Sequence, residues 1–417
     1  MMNAHTGRMG CWIALALLGW SGSAWANGFR NPPESAAGLA LDGGRLNLTD
    51  DASAVAVNPA GLAGIKQNEA LGSLTVIHTE TKYSSPAGRA KTDEPIKVLP
   101  NFFAAFPTSE QGPVIGVGVT TPFGQSTVWE EDSLFRYTAP YEAELTVVNV
   151  NPSLGYRVND AVSVGAGLDL FSSQLTFKQF IPWSSQVPGA PDGKLNFDAD
   201  GDGVGWNLGA RLNVAERHHL SATYRSSVKV DYDGDFKVSQ TPPPLLAMGL
   251  GLKSDFSTDI EFPAMVVVGY GLDLTDRIRM GVDAEWVEFS SYDQLPLDIA
   301  QNNPLLVQGS IPQDWDDIWT FGTGVEWKMN DRVVVRGGYK YLPSPVPSST
   351  LAPTLPDADK HQLSVGVGFQ QGGHRVDVGY AYAILDERTI RDNLNPAYNG
   401  TYEPTSHILS LSYGLTF

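Results

Sequence analysis

The last eleven residues of the chain, 407–417, alternate between two kinds of side chain and end on Phe417. Because successive side chains of a β-strand point to opposite faces, one face here is apolar or aromatic and the other mostly small or polar. Such a strand fits lipid on one side and a polar lumen on the other. A soluble edge strand also alternates, but this length and a terminal Phe are typical of the closing strand of an outer-membrane barrel. The sequence therefore predicts a transmembrane β-barrel.

The first 26 residues have the features of a secretory signal. Arg8 precedes an apolar run at residues 11–20, and the small-residue site Ala24-Trp25-Ala26 follows. A membrane-spanning helix needs about 20 apolar residues, so this run is too short for an anchor. Cys11 is the only cysteine and lies in the segment predicted to be removed. A mature chain beginning at Asn27 then has neither a disulfide nor a cysteine-based metal site.

The composition limits the classes of partner. The chain carries 43 Gly, 15 Tyr, 17 Phe and 10 Trp, yet has no apolar stretch long enough for a membrane helix. A β-barrel explains how a chain rich in aromatic residues can cross a membrane without a long apolar stretch, because each strand needs only every second residue to be apolar. The formal charge of −18 disfavours a nucleic-acid partner, which requires clustered Lys and Arg.

Tight turns divide the chain into strands. Six short turn segments are flanked by alternating residues, at 108–112, 158–160, 215–218, 273–277, 329–332 and 371–374. They give twelve strands, and a first strand near 70–82 with the closing strand makes fourteen, an even number. The other connections are long and Pro-rich, so we assign the short turns to the periplasmic side and the long loops to the outside. The prediction is an all-β, antiparallel 14-stranded barrel over residues 70–417.

Charged residues in the middle of the chain fall on one strand face. Arg225, Lys229 and Asp231 share a parity, opposite Leu220 and Tyr224. Because charge facing lipid is costly, we expect all three charged side chains to face inward.

Residues 27–69 precede the first strand and fit no hairpin. Their turn-forming residues are too dense for a long helix. A wide barrel otherwise encloses a wet channel, so a compact segment here suits a plug inside the lumen. A disordered periplasmic arm is the alternative, which the apolar and small residues of the segment disfavour.

Several short motifs resemble one family in order along nearly the whole chain. They are Asn58-Pro59-Ala60, Val98-Leu99-Pro100-Asn101, Thr121-Pro122-Phe123-Gly124, Tyr156-Arg157-Val158-Asn159-Asp160, Tyr224-Arg225-Ser226 with Val228-Lys229-Val230-Asp231, and Ser344-Pro345-Val346-Pro347, the last followed by Pro356-Asp357. With the strand count and the terminal Phe, the chain resembles the FadL-type outer-membrane transporters of long-chain fatty acids and other hydrophobic compounds.

The resemblance implies a hatch, carrying Asn58, Pro59 and Ala60, that closes the lumen. A hydrophobic ligand is caught on extracellular loops, enters a pocket near the hatch N-terminus, and leaves sideways into outer-membrane lipid through a kinked third strand. Transport is then diffusive and needs no cofactor. The barrel is expected to be a monomer, inserted by the barrel-assembly machinery through Phe417.

Two long loops hold unusually apolar residues for surface connections. A large exposed apolar patch marks a binding site, so these residues predict a hydrophobic groove that first binds the ligand at the cell surface. The alternative is that they pack on one another and cap the barrel. The residues are Phe180, Ile181, Trp183, Leu245, Leu246, Met248 and Leu250.

The third strand runs into Pro122, Phe123 and Gly124. Proline cannot donate to a strand ladder and Gly permits a bulge, so a local break is expected. From spacing alone, Pro122 either kinks the strand within the bilayer and opens a lateral window or simply ends it. The resemblance favours the kink.

The pocket departs from the family in its charge. In fatty-acid members of the family, basic residues in the pocket hold the carboxylate of the substrate. When the strands of this chain are matched loosely to those of the family, the corresponding positions are Gln179 and Asp316, although Lys178 is next to Gln179. A carboxylate facing Asp316 gains nothing, which favours a neutral hydrophobe. Phe29 and Arg30 match the region that reaches the pocket. Arg30 either supplies the missing cation or pairs with Glu34.

Other chemistry is weakly indicated. The run 198–203 opens like an EF-hand loop but has Gly209 where a bidentate Glu is needed, so we interpret it as an acidic loop end, with loosely held calcium as the alternative. Ser221 lies near His218 and His219 without a third orienting group, so we predict that the protein is not an enzyme. The rival function is a general diffusion porin for small polar solutes, with inward charges such as Arg336 and Lys340 lining a channel.

Overall fold

The computed structural model describes residues 28–93, 96–247, 253–300 and 309–417, so the predicted signal sequence lies outside the described residues. Within them the chain is almost entirely strand. The strands are β1 (Glu69–Ser85), β2 (Gly88–Asp93), β3 (Ile96–Pro107), β4 (Val114–Thr120), β5 (Gly124–Trp129), β6 (Glu142–Arg157), β7 (Val162–Ile181), β8 (Gly193–Ala215), β9 (His218–Arg225), β10 (Val228–Ser239), β11 (Lys253–Phe262), β12 (Met265–Thr275), β13 (Ile278–Val287), β14 (Gln294–Ile299), β15 (Gly309–Pro312), β16 (Ile318–Lys328), β17 (Val333–Leu342), β18 (Lys360–Gln371), β19 (His374–Leu385), β20 (Arg388–Ile390) and β21 (Gly400–Thr416).

These segments form one closed antiparallel barrel of 14 strands, as predicted. Three barrel strands are each built from two segments, β4 with β5, β9 with β10, and β11 with β12. Four short strands, β2, β14, β15 and β20, lie outside the count at the long-loop end. Closure is made by β1 and β21, which pair from Glu69 with Thr416 to Ser84 with Thr401.

The closing strand has the predicted two faces. Ile408, Ser410 and Ser412 are buried toward the lumen, whereas Leu409 and Leu411 are about half exposed on the outside. The pattern follows from the two-residue period of a strand: one parity of residues meets the lumen and the other meets lipid.

The prediction for the middle of the chain is only partly right. Arg225 faces inward, but Lys229 and Asp231 are exposed on the outer surface. Ser226 and Ser227 interrupt the strand between β9 and β10, and the alternation changes phase across them. Val228 and Val230 therefore take the inward positions, at 2% and 0% exposure.

The acidic run 198–203 also differs from expectation. It lies within strand β8 and not at a loop end, and Asp198, Asp200 and Asp202 alternate along that strand. Among the described residues, no group of three or more His, Cys, Asp or Glu side chains is arranged to hold a metal ion.

Residues 28–68, here called the N-terminal segment, lie inside the barrel. They form helix α1 (Ala36–Ala40), helix α2 (Ala54–Val57) and a 3-10 helix, Pro59–Gly64. Ser35 caps α1, because its Oγ accepts a 3.1 Å hydrogen bond from the Gly38 N–H. The Ala36 N–H donates to Ser412 Oγ at 2.8 Å, which ties the helix to the inner face of β21.

Glycines let this segment approach the wall closely. A Cβ on Gly281 would lie 2.1 Å from the Gly44 carbonyl oxygen, and one on Gly324 would lie 2.9 Å from the Leu41 carbonyl oxygen. Backbone thus packs on backbone, which only glycine at these wall positions permits.

The remaining helical pieces are short: α3 (Pro243–Ala247) and the 3-10 turns Trp183–Ser185, Phe289–Ser291 and Pro396–Tyr398. No helix in the described parts of the chain is both long and apolar enough to cross a bilayer.

Candidate functional site: an apolar cavity and a broken strand

Phe29 sits at the centre of an aromatic cage. Its side chain is 3% exposed, and its ring centroid lies 5.1 to 5.9 Å from the centroids of five other rings. Most of these pairs are edge-to-face, the arrangement that aromatic quadrupoles favour. The partners are Phe123, Phe262, Phe289, Tyr292 and Trp315.

A cavity of about 470 Å³ lies against this cage on the side of the long loops. Apolar side chains dominate its wall, and Glu144 is the one charged residue among the described residues that line it. Glu144 accepts a 3.0 Å hydrogen bond from Ser126 Oγ. A concave, apolar chamber of this size is typical of a small-molecule site. Its wall includes Phe29, Leu175, Phe177, Leu195, Phe197, Phe256, Ile260, Tyr292, Leu295, Trp315, Leu355 and Tyr398.

The third barrel strand is broken beside the cage. Segment β4 ends at Thr120, and β5 resumes at Gly124. On one side the break is small, because Thr120 pairs with Asn149 and Gly124 with Thr146, which leaves one extra residue on the broken strand.

On the other side the break is wide. The ladder between β3 and the third strand stops at Phe102 with Val119. Beyond it, residues 96–101 of β3 pair only with β1 among the described residues, and β5 next meets the short strand β2 at Trp129 with Thr92. The wall therefore has an unpaired gap next to Pro122, whose missing N–H cannot join a ladder.

The N-terminal segment takes up the hydrogen bonds that the break leaves free. The Gly124 N–H donates to the Phe29 carbonyl at 2.8 Å, and the Asn31 N–H donates to the Pro122 carbonyl at 3.0 Å. Asn31 Nδ2 donates to the Thr121 carbonyl at 2.8 Å. The same few residues thus fill the wall gap and form part of the cavity wall.

A second, polar chamber of about 80 Å³ lies next to the break, and Arg30, Pro122 and Lys360 are among its lining residues. Arg30 Nη2 pairs with Glu285 Oε1 at 2.8 Å. Glu34 instead pairs with Arg45, at 2.9 Å. Of the two alternatives for Arg30, pairing with Glu34 is therefore wrong, and its partner is Glu285.

Asp357 anchors the start of the described chain. Its carboxylate is fully buried and accepts hydrogen bonds from Ser344 Oγ at 2.7 Å and from the Gly28 N–H at 3.4 Å. Burial raises the pKa of Asp357 to about 6, although these two hydrogen bonds act in the opposite direction.

The Asn-Pro-Ala motif lies away from the cavity. Asn58 Oδ1 accepts from the Ala60 N–H at 3.0 Å, and Asn58 Nδ2 donates to the Ala210 carbonyl at 3.2 Å. Pro59 packs so closely on the wall that a Cβ on Gly165 would lie 2.3 Å from its carbonyl carbon. The motif thus attaches the N-terminal segment to the inner wall, toward the tight-turn end.

The described capture residues do not form one surface. Trp183 and Leu245 belong to the buried apolar cluster at the long-loop end, and Ile181 packs against that cluster. Phe180 is buried with its ring centroid 4.7 Å from that of Tyr141, and Leu246 is 40% exposed. None of these five residues is in the cavity wall. Met248 and Leu250 lie outside the described residues.

The three predicted head-group positions fall on different faces. Gln179 lines the cavity, and its Nε2 donates to the Tyr137 carbonyl at 3.3 Å. Lys178 lies on the other face of β7, where it pairs with Glu142 at 2.5 Å. Asp316 is exposed and is not in the cavity wall, so its charge does not bear on a ligand there.

Sequence reasoning missed much of the aromatic cage. Phe262, Phe289, Tyr292 and Trp315 come from β11 and from the region between β13 and β16. Trp315 is next to Asp316 in the chain, so the match of strands identified the correct loop but selected the neighbouring residue. The sequence carries no signal for these rings, because residues 289–315 hold three aromatic residues in 27, close to the 10% aromatic content of the whole chain.

The fold and this site define a class: an outer-membrane β-barrel with a luminal N-terminal segment and an apolar cavity beside a wall gap. Residues 17–417 match the family described as outer membrane protein transport protein (OMPP1/FadL/TodX). The chain belongs to this family, whose members are outer-membrane transport proteins of Gram-negative bacteria and not enzymes.

Similar proteins span nearly the whole chain. The long-chain fatty acid transport protein of Escherichia coli (strain K12) is 25% identical over 423 residues, 92% of this chain and 93% of that protein. The 47 kDa outer membrane protein of Pasteurella multocida is 24% identical over 408 residues, covering 91% and 92%.

Solved structures share the fold. A Pseudomonas aeruginosa FadL homologue has a TM-score of 0.81 at 21% identity, with 94% of this chain and all of that chain covered. The Ralstonia pickettii toluene transporter TbuX has a TM-score of 0.70 at 20% identity, covering 94% and 99%.

Proposed function

We propose that this protein carries hydrophobic compounds, long-chain fatty acids or other apolar molecules, passively across the outer membrane. The observation that carries the proposal is the 2.8 Å hydrogen bond from Gly124 to Phe29, because it joins the cavity wall directly to the wall gap. A ligand that displaces Phe29 from its cage therefore also disturbs the contacts that fill the gap.

The first step is entry into the apolar cavity from the long loops. Each methylene removed from water contributes about 0.8 kcal/mol, so a chain of several carbons binds there without a charged contact. Leu246, which is exposed next to the buried Leu245 at the long-loop end, supports initial contact on the outer surface.

The second step is lateral exit. When residues 29–31 move, the backbone groups of residues 121–124 lose their partners and the gap beside Asn101 is uncovered. An apolar ligand then passes sideways into lipid and never crosses the polar, charged half of the lumen. The concentration gradient sets the direction of flux, and no coupling protein is required.

The ion pairs of two inner cations disfavour the porin alternative. Arg336 and Lys340, which a porin would expose to a channel, are 8% and 9% exposed. Arg336 pairs with Glu326 at 2.9 Å and Asp377 at 2.7 Å, and Lys340 pairs with Glu285 at 2.9 Å. Both cations are thus neutralised by neighbouring carboxylates and are not presented to a channel.

Uptake tests the proposal. Cells that lack their own hydrophobic-compound transporter are given a labelled long-chain fatty acid or a labelled aromatic hydrocarbon, with and without this protein. We expect faster uptake of at least one probe and little steady single-channel conductance. No gain with either probe, together with a large open conductance, would contradict the proposal and favour the porin.

A further inference from the structure

Four histidines on the outer surface of the barrel are each hydrogen-bonded to a tyrosine on a neighbouring strand. In every pair the imidazole Nδ1 lies 2.6 to 2.8 Å from the phenolic oxygen. The other two described histidines, His78 and His219, make no hydrogen bond to a described tyrosine. The pairs are His218 with Tyr270, His361 with Tyr339, His374 with Tyr413, and His407 with Tyr380.

The four pairs share one geometry. His407 is directly opposite Tyr382 in the strand ladder, but it bonds to Tyr380, which is one outward-facing position nearer to the middle of the strand. His218 is opposite Leu272 and bonds to Tyr270 in the same diagonal way. The other two pairs repeat this arrangement. In each pair the histidine is therefore the outer member and the tyrosine the inner one.

The pairs lie at the edges of the lipid-facing surface. From each histidine, the next outward residue toward the middle of its strand is apolar and 40 to 51% exposed. These residues are Leu220, Leu363, Val376 and Leu409. Beyond His407 the outward positions are instead polar, at Thr405 and Glu403. Two pairs follow tight turns and two lie toward the long loops, so both edges of the apolar belt carry the motif.

The bond to tyrosine determines which imidazole nitrogen is free. A neutral imidazole has one donor and one acceptor nitrogen, and a phenolic O–H donates more strongly than an imidazole N–H. Nδ1 therefore accepts the tyrosine proton, and the ring proton is on Nε2. In the part of the chain that the structure describes, Nε2 of these four histidines has no hydrogen-bond partner. Each pair thus presents one unpaired N–H donor at the edge of the apolar belt.

The partner available at this depth is a lipid head group, which borders the hydrocarbon core on both sides of a bilayer. A phosphate oxygen is its strongest acceptor, because a hydrogen bond with one ionised partner is about twice as strong as a neutral one. None of the eight residues lines the apolar cavity or the polar chamber, so this surface is separate from the proposed ligand path.

We propose that the Nε2–H groups of the four histidines bind the phosphate groups of membrane lipids. They form two rims, His218 with His374 at the tight-turn end and His361 with His407 at the long-loop end. Each tyrosine positions the ring and holds the proton on Nε2. Phosphate contacts at both edges of the belt resist movement of the barrel along the membrane normal. The inference does not depend on the compound that is transported.

The test compares two lipids with the same chains and ester groups. The full barrel in detergent is titrated with dimyristoylphosphatidylglycerol or with a dimyristoyl galactolipid, which has no phosphate, and native mass spectrometry counts the lipids retained. The proteins are the wild type, a variant in which all four histidines are changed to phenylalanine, and His78→Phe. Phenylalanine keeps an aromatic ring at the edge. His78 is exposed on the same outer face without a tyrosine bond and serves as the control.

We expect the wild type to retain the phospholipid about fivefold more tightly than the galactolipid, the effect of a net hydrogen bond. The fourfold variant should lose this preference with galactolipid retention unchanged, and His78→Phe should match the wild type. Heat-shifted gel mobility shows whether each barrel is folded. In phospholipid vesicles, solid-state NMR of the wild type should also show dephasing of the histidine Nε2 signals by lipid phosphorus.

Four outcomes overturn the inference. The first is equal retention of the two lipids by the wild type. The second is an equal loss of both lipids in the folded fourfold variant, which indicates that the rings only pack against acyl chains. The third is a loss in His78→Phe as large as in the fourfold variant, which removes the role of the tyrosine bond. The fourth is the absence of phosphorus dephasing at Nε2 in the wild type, a result that does not depend on any variant.

Discussion

The backbone N–H of Gly124 donates a 2.8 Å hydrogen bond to the carbonyl oxygen of Phe29. Gly124 begins the second half of the broken barrel strand, and Phe29 fills the aromatic cage beside the apolar cavity. The first residues of the N-terminal segment are therefore both a ligand-facing surface and the closure of the wall. A displacement of these residues therefore changes the cavity wall and opens the wall gap at the same time.

Phe29→Ala tests the cage. Truncating a buried Phe costs about 3–5 kcal/mol where the space does not collapse, so we expect residues 28–33 to detach from the wall. Amide hydrogen exchange at residues 28–31 should rise by orders of magnitude, while exchange in β1 and β21 stays slow. Leu246→Ala, at an exposed position, is the control. Unchanged exchange in Phe29→Ala would show that the ring does not hold the segment.

Gly281→Val tests the close packing between the N-terminal segment and the wall. A Cβ there would lie 2.1 Å from the Gly44 carbonyl oxygen, so the segment must shift. We expect steady single-channel conductance where the wild type has little. Gly72→Val is matched, because nothing lies within 4 Å of a Cβ at Gly72. Equal conductance in the two variants would contradict the account.

Arg336→Met tests the charged half of the lumen. Arg336 bridges Glu326 and Asp377, and removing one partner of a buried ion pair costs about 3–5 kcal/mol because the other charges stay buried. The urea midpoint of the detergent-solubilised barrel should fall clearly. Arg332→Met, at an exposed turn position, should leave it within error. A midpoint unaffected by Arg336→Met would mean that the network adds no net stability.

Asp357 predicts a specific pH dependence. Its pKa of about 6 in the folded protein lies above the usual value near 3.9, so the folded state favours the protonated form. Protonated Asp357 therefore stabilises the folded state, and this contribution to the free energy of unfolding is fully present below about pH 4. It declines as the pH rises and is lost above about pH 6, with a total on the order of 2–3 kcal/mol.

Asp357→Asn removes this titration. The thermal midpoint of the wild type relative to Asp357→Asn should therefore fall between pH 4 and pH 7 and stay level above it. The difference between the two proteins cancels the titration of other carboxylates. A difference that does not change across this window would show that Asp357 is not buried as an acid.

The barrel was predictable because each strand alternates lumen-facing and lipid-facing side chains, a pattern that is visible in a short stretch of sequence. The alternation at Leu409 and Ser410 fixes both faces of the closing strand, and tight turns mark each hairpin. Ser226 and Ser227 show the limit: the strand resumes after them with the same period and the opposite phase, so Lys229 changed sides without a local signal.

The site was less predictable, since it depends on contacts between distant segments. Phe29 and Pro122 were identified from the resemblance and from proline chemistry, but the partner of Arg30 was not, because Glu285 is far away in sequence. A one-residue offset separates Asp316, which is exposed, from Trp315, which is buried in the aromatic cage. Lys360, at the start of a strand, carries no motif at all.

The most direct measurement of the central claim is fatty-acid and hydrocarbon uptake by Thr121→Arg beside Thr108→Arg. Thr121 is buried in the wall gap, where its N–H donates to Asn101 Oδ1 at 3.0 Å, and Thr108 is exposed at a tight turn. A charged side chain in the gap obstructs an apolar ligand, so we predict that folded Thr121→Arg loses most uptake while Thr108→Arg matches the wild type. Full uptake through folded Thr121→Arg would contradict lateral exit at this gap.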